Sequence, residues 1–194
     1  MRRLLRKAEF ICVLAMLIGS FFIDRAAIEW VGGLRTKALD YFFAWITQLG
    51  SVLAVLIIIT SLFLWEENRK GWVGVLWLSF ITSATLSMLL KFIIGRPRPS
   101  LAAFPVMGSS FPSIHAAIAF STISVLDKEF PRFKWFWVGF SFLVGFSRFY
   151  FQLHYPSDVF AGALLGIAVG HFFVVKESKL KFVERFKGWV SRWI

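Results

Sequence analysis

Nine polar residues stand where an otherwise apolar chain has least use for them: Lys91, Arg96, Arg98, Ser113, His115, Ser147, Arg148, His154 and Asp158. Lys91, Arg98 and Arg148 bring three positive charges, and the guanidinium fork suits bidentate contact with phosphate. Ser113 and the first amides of a following helix, that of Ile114 among them, add donors at a helix N-terminus, itself an anion site. Gathered without a ligand, these cations repel one another, so an anion is their natural occupant. A phosphomonoester near neutral pH carries close to two negative charges, and its transfer needs an in-line nucleophile and stabilised equatorial oxygens. His154 is the candidate nucleophile. Imidazole attacks only through an unprotonated nitrogen, and Asp158, four residues on, can accept the hydrogen bond of the other ring nitrogen. Each residue alone also has a plainer role. Ser113 can cap a helix, Asp158 can favour a first turn after Pro156, either histidine can be an interior residue, Lys91 can reach for headgroups, and Arg148 can pair with Asp158. Arg96 is open between a headgroup contact and no role.

The spacing of these residues carries more than their types. Lys91 to Pro99 reads K-x6-R-P, Phe111-Pro-Ser-Ile-His115 opens a helix, and Ser147 to Asp158 reads S-R-x5-H-x3-D. In this order the three blocks resemble the type 2 phosphatidic acid phosphatase family of membrane lipid phosphatases. The resemblance implies a phosphohistidine at His154 with Asp158 behind it. His115 would protonate the leaving oxygen and then help water attack the phosphohistidine. Lys91, Arg98, Ser113, Ile114 and Arg148 would hold the phosphate, and no metal or cofactor is required. One position departs from the family pattern: Ile114 stands where glycine is usual, and its β-branched side chain is expected to narrow the pocket.

The elements that must position these residues lie in lipid. Of 194 residues 58% are hydrophobic, 19% aromatic and only 17% charged, whereas a soluble domain carries about 25% charge. The 24 Phe and 9 Trp exclude disorder, collagen and coiled coil. The single Cys12 leaves no intrachain disulfide. Nearly charge-free stretches at 10–23, 41–65, 71–90, 112–126, 135–147 and 159–175 predict an all-α integral membrane protein of six transmembrane helices in one bundle. The whole chain, 1–194, reads as one domain, with its motifs between 91 and 158. The start reads as an uncleaved first helix, without a small-x-small cleavage pattern. Residues 24–40 are expected to form an interfacial helix on the outer side. The tail 176–194, with Lys and Arg among Phe182, Phe186, Trp189 and Trp193, reads as a basic amphipathic helix on anionic lipid.

The charge of +11 sorts by side of the membrane. With both termini cytoplasmic, fifteen of the 22 Lys and Arg fall on the cytoplasmic side. The excess therefore belongs to the bilayer and not to nucleic acid. All nine polar residues then converge on the outer leaflet. The partner implied is a phosphorylated membrane lipid, and the setting a bacterial cytoplasmic (inner) membrane with the site facing the periplasm or exterior. The short apolar loop 100–111 offers no lid for a soluble substrate. Resemblance points first to lipid A 1-phosphate, then to undecaprenyl pyrophosphate and phosphatidylglycerol phosphate. The alternative is a non-catalytic protein that binds or carries anionic lipid with the same basic cluster. It leaves the His154–Asp158 spacing unexplained.

Overall fold

A computed structural model describes residues 2–47, 58, 60, 70–103 and 107–180. Among these, six α-helices are found and no strand: α1 Arg2–Gly32, α2 Lys37–Thr47, α3 Lys70–Ile94, α4 Ile114–Glu129, α5 Lys134–Tyr150 and α6 Pro156–Leu180. Their ends follow from local chemistry. Gly95, at φ +62, closes α3 in the left-handed cap position, with its N–H on the Lys91 carbonyl at 3.0 Å. Pro97 and Pro99 then keep the chain extended. Ser113 has extended backbone (φ −74, ψ 113) and its side chain accepts the Ala116 N–H, so α4 begins immediately after it. Pro131 stops α4 and opens a single 3-10 turn, Pro131–Phe133. Pro156 starts α6, where its missing N–H costs nothing.

Two of the described helices, Trp72–Ile94 and Pro156–Glu177, are long and apolar enough to cross a membrane. At 16 and 17 residues, α4 and α5 are shorter than the roughly 20 that a full span needs. Residues 24–40 do not form the separate interfacial helix that their charge predicts. α1 is continuous to Gly32, a turn follows, and α2 begins at Lys37. The reason is Asp24: 3% exposed, it satisfies its charge inside the bundle and lets the helix run on. The tail does not start a new helix at Lys176 either, because α6 continues to Leu180. Residues 181–194 lie outside those described, as does most of the 41–65 segment.

The packing that fixes the site is between α4 and α6. Gly162, Gly166 and Gly170 recur every four residues along α6 and face Ser113, Ala117 and Ser121, spaced likewise along α4. The two backbones touch there, as small residues allow between helices in lipid. A cluster of Val75, Leu76, Ile118, Val125, Leu126 and Val144 joins α3, α4 and α5. A second cluster of Val31, Phe43, Tyr150, Phe151 and Leu153 packs α1 and α2 against the α5–α6 loop. That loop carries His154.

Candidate active site

Three segments meet at one end of the bundle: the α3–α4 loop, the α5–α6 loop and the start of α4. Backbone bonds tie them together. The Ser110 N–H donates to the Arg96 carbonyl at 2.7 Å, the Ser113 N–H to the Asp158 carbonyl at 3.0 Å, and the Leu153 N–H to the Arg148 carbonyl at 3.1 Å. Gln152, at φ +54, turns the chain between α5 and α6, and its side-chain amide donates to the Ile28 carbonyl at 2.8 Å.

His154 is buried, at 2% exposure. Its Nδ1 lies 2.7 Å from the Ser110 carbonyl oxygen and 3.8 Å from Asp158 Oδ2. A carbonyl can only accept, so Nδ1 carries the proton and Nε2 the lone pair. The expected hydrogen bond from Nδ1 to Asp158 is therefore taken by a backbone carbonyl. Burial pushes the ring's pKa down to about 4. The Asp158 carboxylate opposes that shift, while Arg148, Lys91 and Arg98 reinforce it. The imidazole is neutral at physiological pH.

Nε2 faces Arg98, whose Nη1 lies 3.3 Å away and also donates to the Leu153 carbonyl at 2.7 Å. Arg98 Nε donates to the Gly108 carbonyl at 3.1 Å. Lys91 Nζ donates to the carbonyls of Ser109 and Ser110 at 2.7 and 3.1 Å. Arg148, 8% exposed, pairs not with Asp158 but with Thr47 of α2, through Nη1 at 2.6 Å. Its Nε is a buried donor with no hydrogen-bond partner among the described residues. An anion oxygen is a suitable acceptor for such an orphan. His115 lies within electrostatic reach of Arg148, His154, Lys91 and Arg98. Lys91, Arg98, His115, Arg148 and His154 are thus brought together, with Ser113 and Ile114 at the adjoining helix start.

The half-buried Ile114 side chain packs against the apolar cluster that includes Val75, Leu76 and Ile118, and its φ is not positive. Its amide sits in the first turn of α4, where helix N–H groups are available to an anion. Ser147 is buried, and its hydroxyl donates to the Val144 carbonyl at 2.7 Å within α5. Arg96 is no headgroup contact. It bridges Asp158 and Asp24, each at 2.6 Å. Asp24, Ser110, Ser157 and Thr47 were not singled out from sequence. Asp24 gave no signal there, because with Arg25 beside it the residue reads as the end of the first apolar segment. A cavity of about 380 Å³ opens between α1, α4, α5 and α6, lined by Met16, Phe120, Phe146, Phe149, Pro156 and Val159 among others.

A cationic pocket around a neutral histidine, at one end of an all-helical membrane bundle, is the equipment of membrane phosphatases that work on phosphate esters. Comparison with known proteins places the chain in that class. The PAP2 superfamily model matches residues 72–181, more than half of the chain, which therefore belongs to that family. The chain is 28% identical over 180 residues to the lipid A 4'-phosphatase of Bacteroides thetaiotaomicron, covering 81% of this chain and 78% of that one. It is 30% identical over 139 residues to the lipid A 1-phosphatase of Rhizobium johnstonii, covering 57% of each. It is 38% identical over 77 residues to the bacitracin transport permease protein BcrC of Bacillus licheniformis, covering 40% of this chain and 38% of that one. The chain thus spans less than two thirds of the length of these last two relatives. Among solved structures, Aquifex aeolicus LpxE is similar with a TM-score of 0.69 and 33% identity, covering 78% of this chain and 94% of that one. A transmembrane PAP2-type phosphatidylglycerolphosphate phosphatase from Bacillus subtilis shares the fold, with a TM-score of 0.74 and 22% identity over 87% of this chain and 96% of that one.

Proposed function

We propose that this chain hydrolyses a phosphate monoester or pyrophosphate from a lipid headgroup, without a metal, through a phosphohistidine at His154. The observation that carries this reading is the tautomer of His154: Nδ1–H is committed to the Ser110 carbonyl, so the lone pair of Nε2 is presented beside Arg98. Nε2 attacks phosphorus in line as the bond from phosphorus to the lipid oxygen breaks. His115 gives a proton to that oxygen. A water then loses its proton to His115 and attacks the phosphohistidine, releasing inorganic phosphate and restoring Nε2. Lys91, Arg98, Arg148, Ser113 and the amide of Ile114 hold the equatorial oxygens, where the developing charge needs donors fixed in advance.

The apolar cavity supports a lipid substrate, since Pro156 and Val159 in its wall follow closely on His154 and Asp158. Lipid A 1-phosphate is the substrate we propose first, on the likeness to two lipid A phosphatases, followed by undecaprenyl pyrophosphate and phosphatidylglycerol phosphate, on the likeness to an undecaprenyl-diphosphatase and a phosphatidylglycerophosphatase. The excess of Lys and Arg in 1–9, 66–70, 127–134 and 176–194 supports cytoplasmic termini and a site on the opposite side of a bacterial inner membrane.

The test is phosphate release in detergent from a panel of lipid phosphates with EDTA present, wild type beside His154→Ala. Release that survives EDTA and vanishes in the variant is expected, and the ranking across the panel names the lipid. One relative is named as a transport permease. Binding of lipid phosphates with no release from any of them would favour the carrier reading instead.

A further inference from the structure

Arg96 lies outside the phosphate-binding set, yet its guanidinium is engaged on both sides by buried groups. Nη1 donates to Ser157 Oγ at 2.7 Å and to Asp158 Oδ1 at 2.6 Å, and Nη2 donates to Asp24 Oδ2 at 2.6 Å. Its plane lies 4.2 Å from the ring centre of Tyr155 and 4.9 Å from that of Phe21. Asp24 also accepts the Ser157 N–H at 3.0 Å and the Ser157 hydroxyl. Both carboxylates are buried, at 3% and 0% exposure, and neither can stay ionised there without a cation. Burial opposes the Arg96 charge, but the two carboxylates outweigh it and raise its pKa above the ordinary value. The second oxygen of Asp158 accepts the Tyr155 N–H at 2.9 Å and lies 3.8 Å from Nδ1 of His154.

We propose that Arg96 is a positioning residue. Held between Asp24 of α1 and Asp158 of α6, it fixes the Asp158 carboxylate behind His154 and tempers the negative charge that the imidazole feels. The proposal rests on the reading of His154 as nucleophile. A lysine cannot replace it, because one ammonium does not span two carboxylates from opposite ends of a rigid fork. The groups facing His154 are Asp158 from α6, Lys91 from α3, Arg98 from the α3–α4 loop, Arg148 from α5 and His115 from α4. Four of the five are cationic or potentially so. Asp158 alone favours the imidazolium, and Arg96 is its counterweight.

Two substitutions then act in opposite directions. Arg96→Gln removes the ion-pair partner of Asp158 Oδ1, leaves more of that carboxylate's charge on the imidazole, stabilises the imidazolium and moves the acid limb of kcat/KM to higher pH. Asp24→Asn removes a negative charge from the far side of Arg96, leaves more of its field on Asp158 and moves that limb to lower pH. With the full chain in detergent, Arg96→Gln should lower kcat about 10- to 100-fold, the range that outer partners of a reacting group command, with KM little changed. Arg96→Lys should recover only part. The ring of His154, titrated by NMR in micelles, should show the order Asp24→Asn, wild type, Arg96→Gln in rising pKa. That readout needs no activity and judges Arg96 on its own, whereas activity surviving in His154→Ala would reject the nucleophile reading. A raised KM with unchanged kcat in Arg96→Gln would make Arg96 a substrate ligand and overturn the proposal. So would identical ring pKa values in all three proteins.

Discussion

A neutral imidazole among cations makes a good nucleophile, but it leaves the departing oxygen without a proton unless a second group supplies one. His115, half-buried at the start of α4, is placed for that task once a bound phosphate offsets the charges of Arg148, Lys91 and Arg98, which otherwise disfavour its protonated form. General acid catalysis contributes about 10² to 10⁴. The expectation is that His115→Gln loses a factor in this range on a lipid phosphate, whose alkoxide leaves badly. With p-nitrophenyl phosphate, whose leaving group needs no proton, the burst of nitrophenol should persist while steady turnover falls, because His115 must still activate water. Loss of the burst as well would assign His115 to phosphate binding. At this scale the sequence was most legible where residues act through charge. Lys91, Arg98, Arg148, His115 and His154 were named from type and spacing, and the fold gathers them. It was least legible where backbone acts. The Ser110 carbonyl holds Nδ1 of His154, and no side-chain pattern announces a carbonyl.

At the scale of elements, the site depends on how closely α4 and α6 approach, because one carries Ser113 and His115 and the other Asp158. A Cβ at Gly166 would collide with the Ala117 carbonyl oxygen and lie 2.9 Å from the Ser121 backbone nitrogen, neither of which can rotate away. Gly166→Leu must therefore push the helices apart. Overpacking costs about 1–3 kcal/mol, occasionally more, and here it also carries the two halves of the site away from each other. We expect a lower midpoint of thermal unfolding in detergent and loss of phosphate release. Gly74→Ala on α3, where an added Cβ meets nothing within 4 Å, should be neutral or stabilising by about 0.5–1 kcal/mol through helix propensity. Equal effects of the two changes would show that the contact does not position the site. The spacing Gly162, Gly166, Gly170 was open to inspection in the sequence but is uninformative without its partner helix. The end of α1 was misread for the opposite reason. Asp24 and Arg25 look like a membrane boundary, and only the distant Arg96, Ser157 and Asp158 make Asp24 an interior residue.

At the scale of the molecule, the placement of charge makes a claim about sidedness that neither helix lengths nor site geometry can supply. Every residue assigned to phosphate lies at the end of the bundle that holds the α3–α4 and α5–α6 loops, while the α4–α5 turn, with Lys128, Arg132 and Lys134, lies between the opposite helix ends. Basic residues near helix ends favour the cytoplasmic face, and a phosphatase site that itself needs cations weakens the bias without reversing it. Met107, 97% exposed in the α3–α4 loop, and Lys134, whose surface ion pair with Asp127 at 3.0 Å contributes little, report on the two ends. In a Cys12→Ser background, Met107→Cys should react with a membrane-impermeant maleimide in intact spheroplasts. Lys134→Cys should react only in inverted vesicles. The reverse pattern would put the phosphate site in the cytoplasm and overturn the assignment of an outer-leaflet substrate, leaving the chemistry at His154 untouched. Labelling of both from one side would mean that the two loops share a face, and would overturn a single pass of α4 through the bilayer as well.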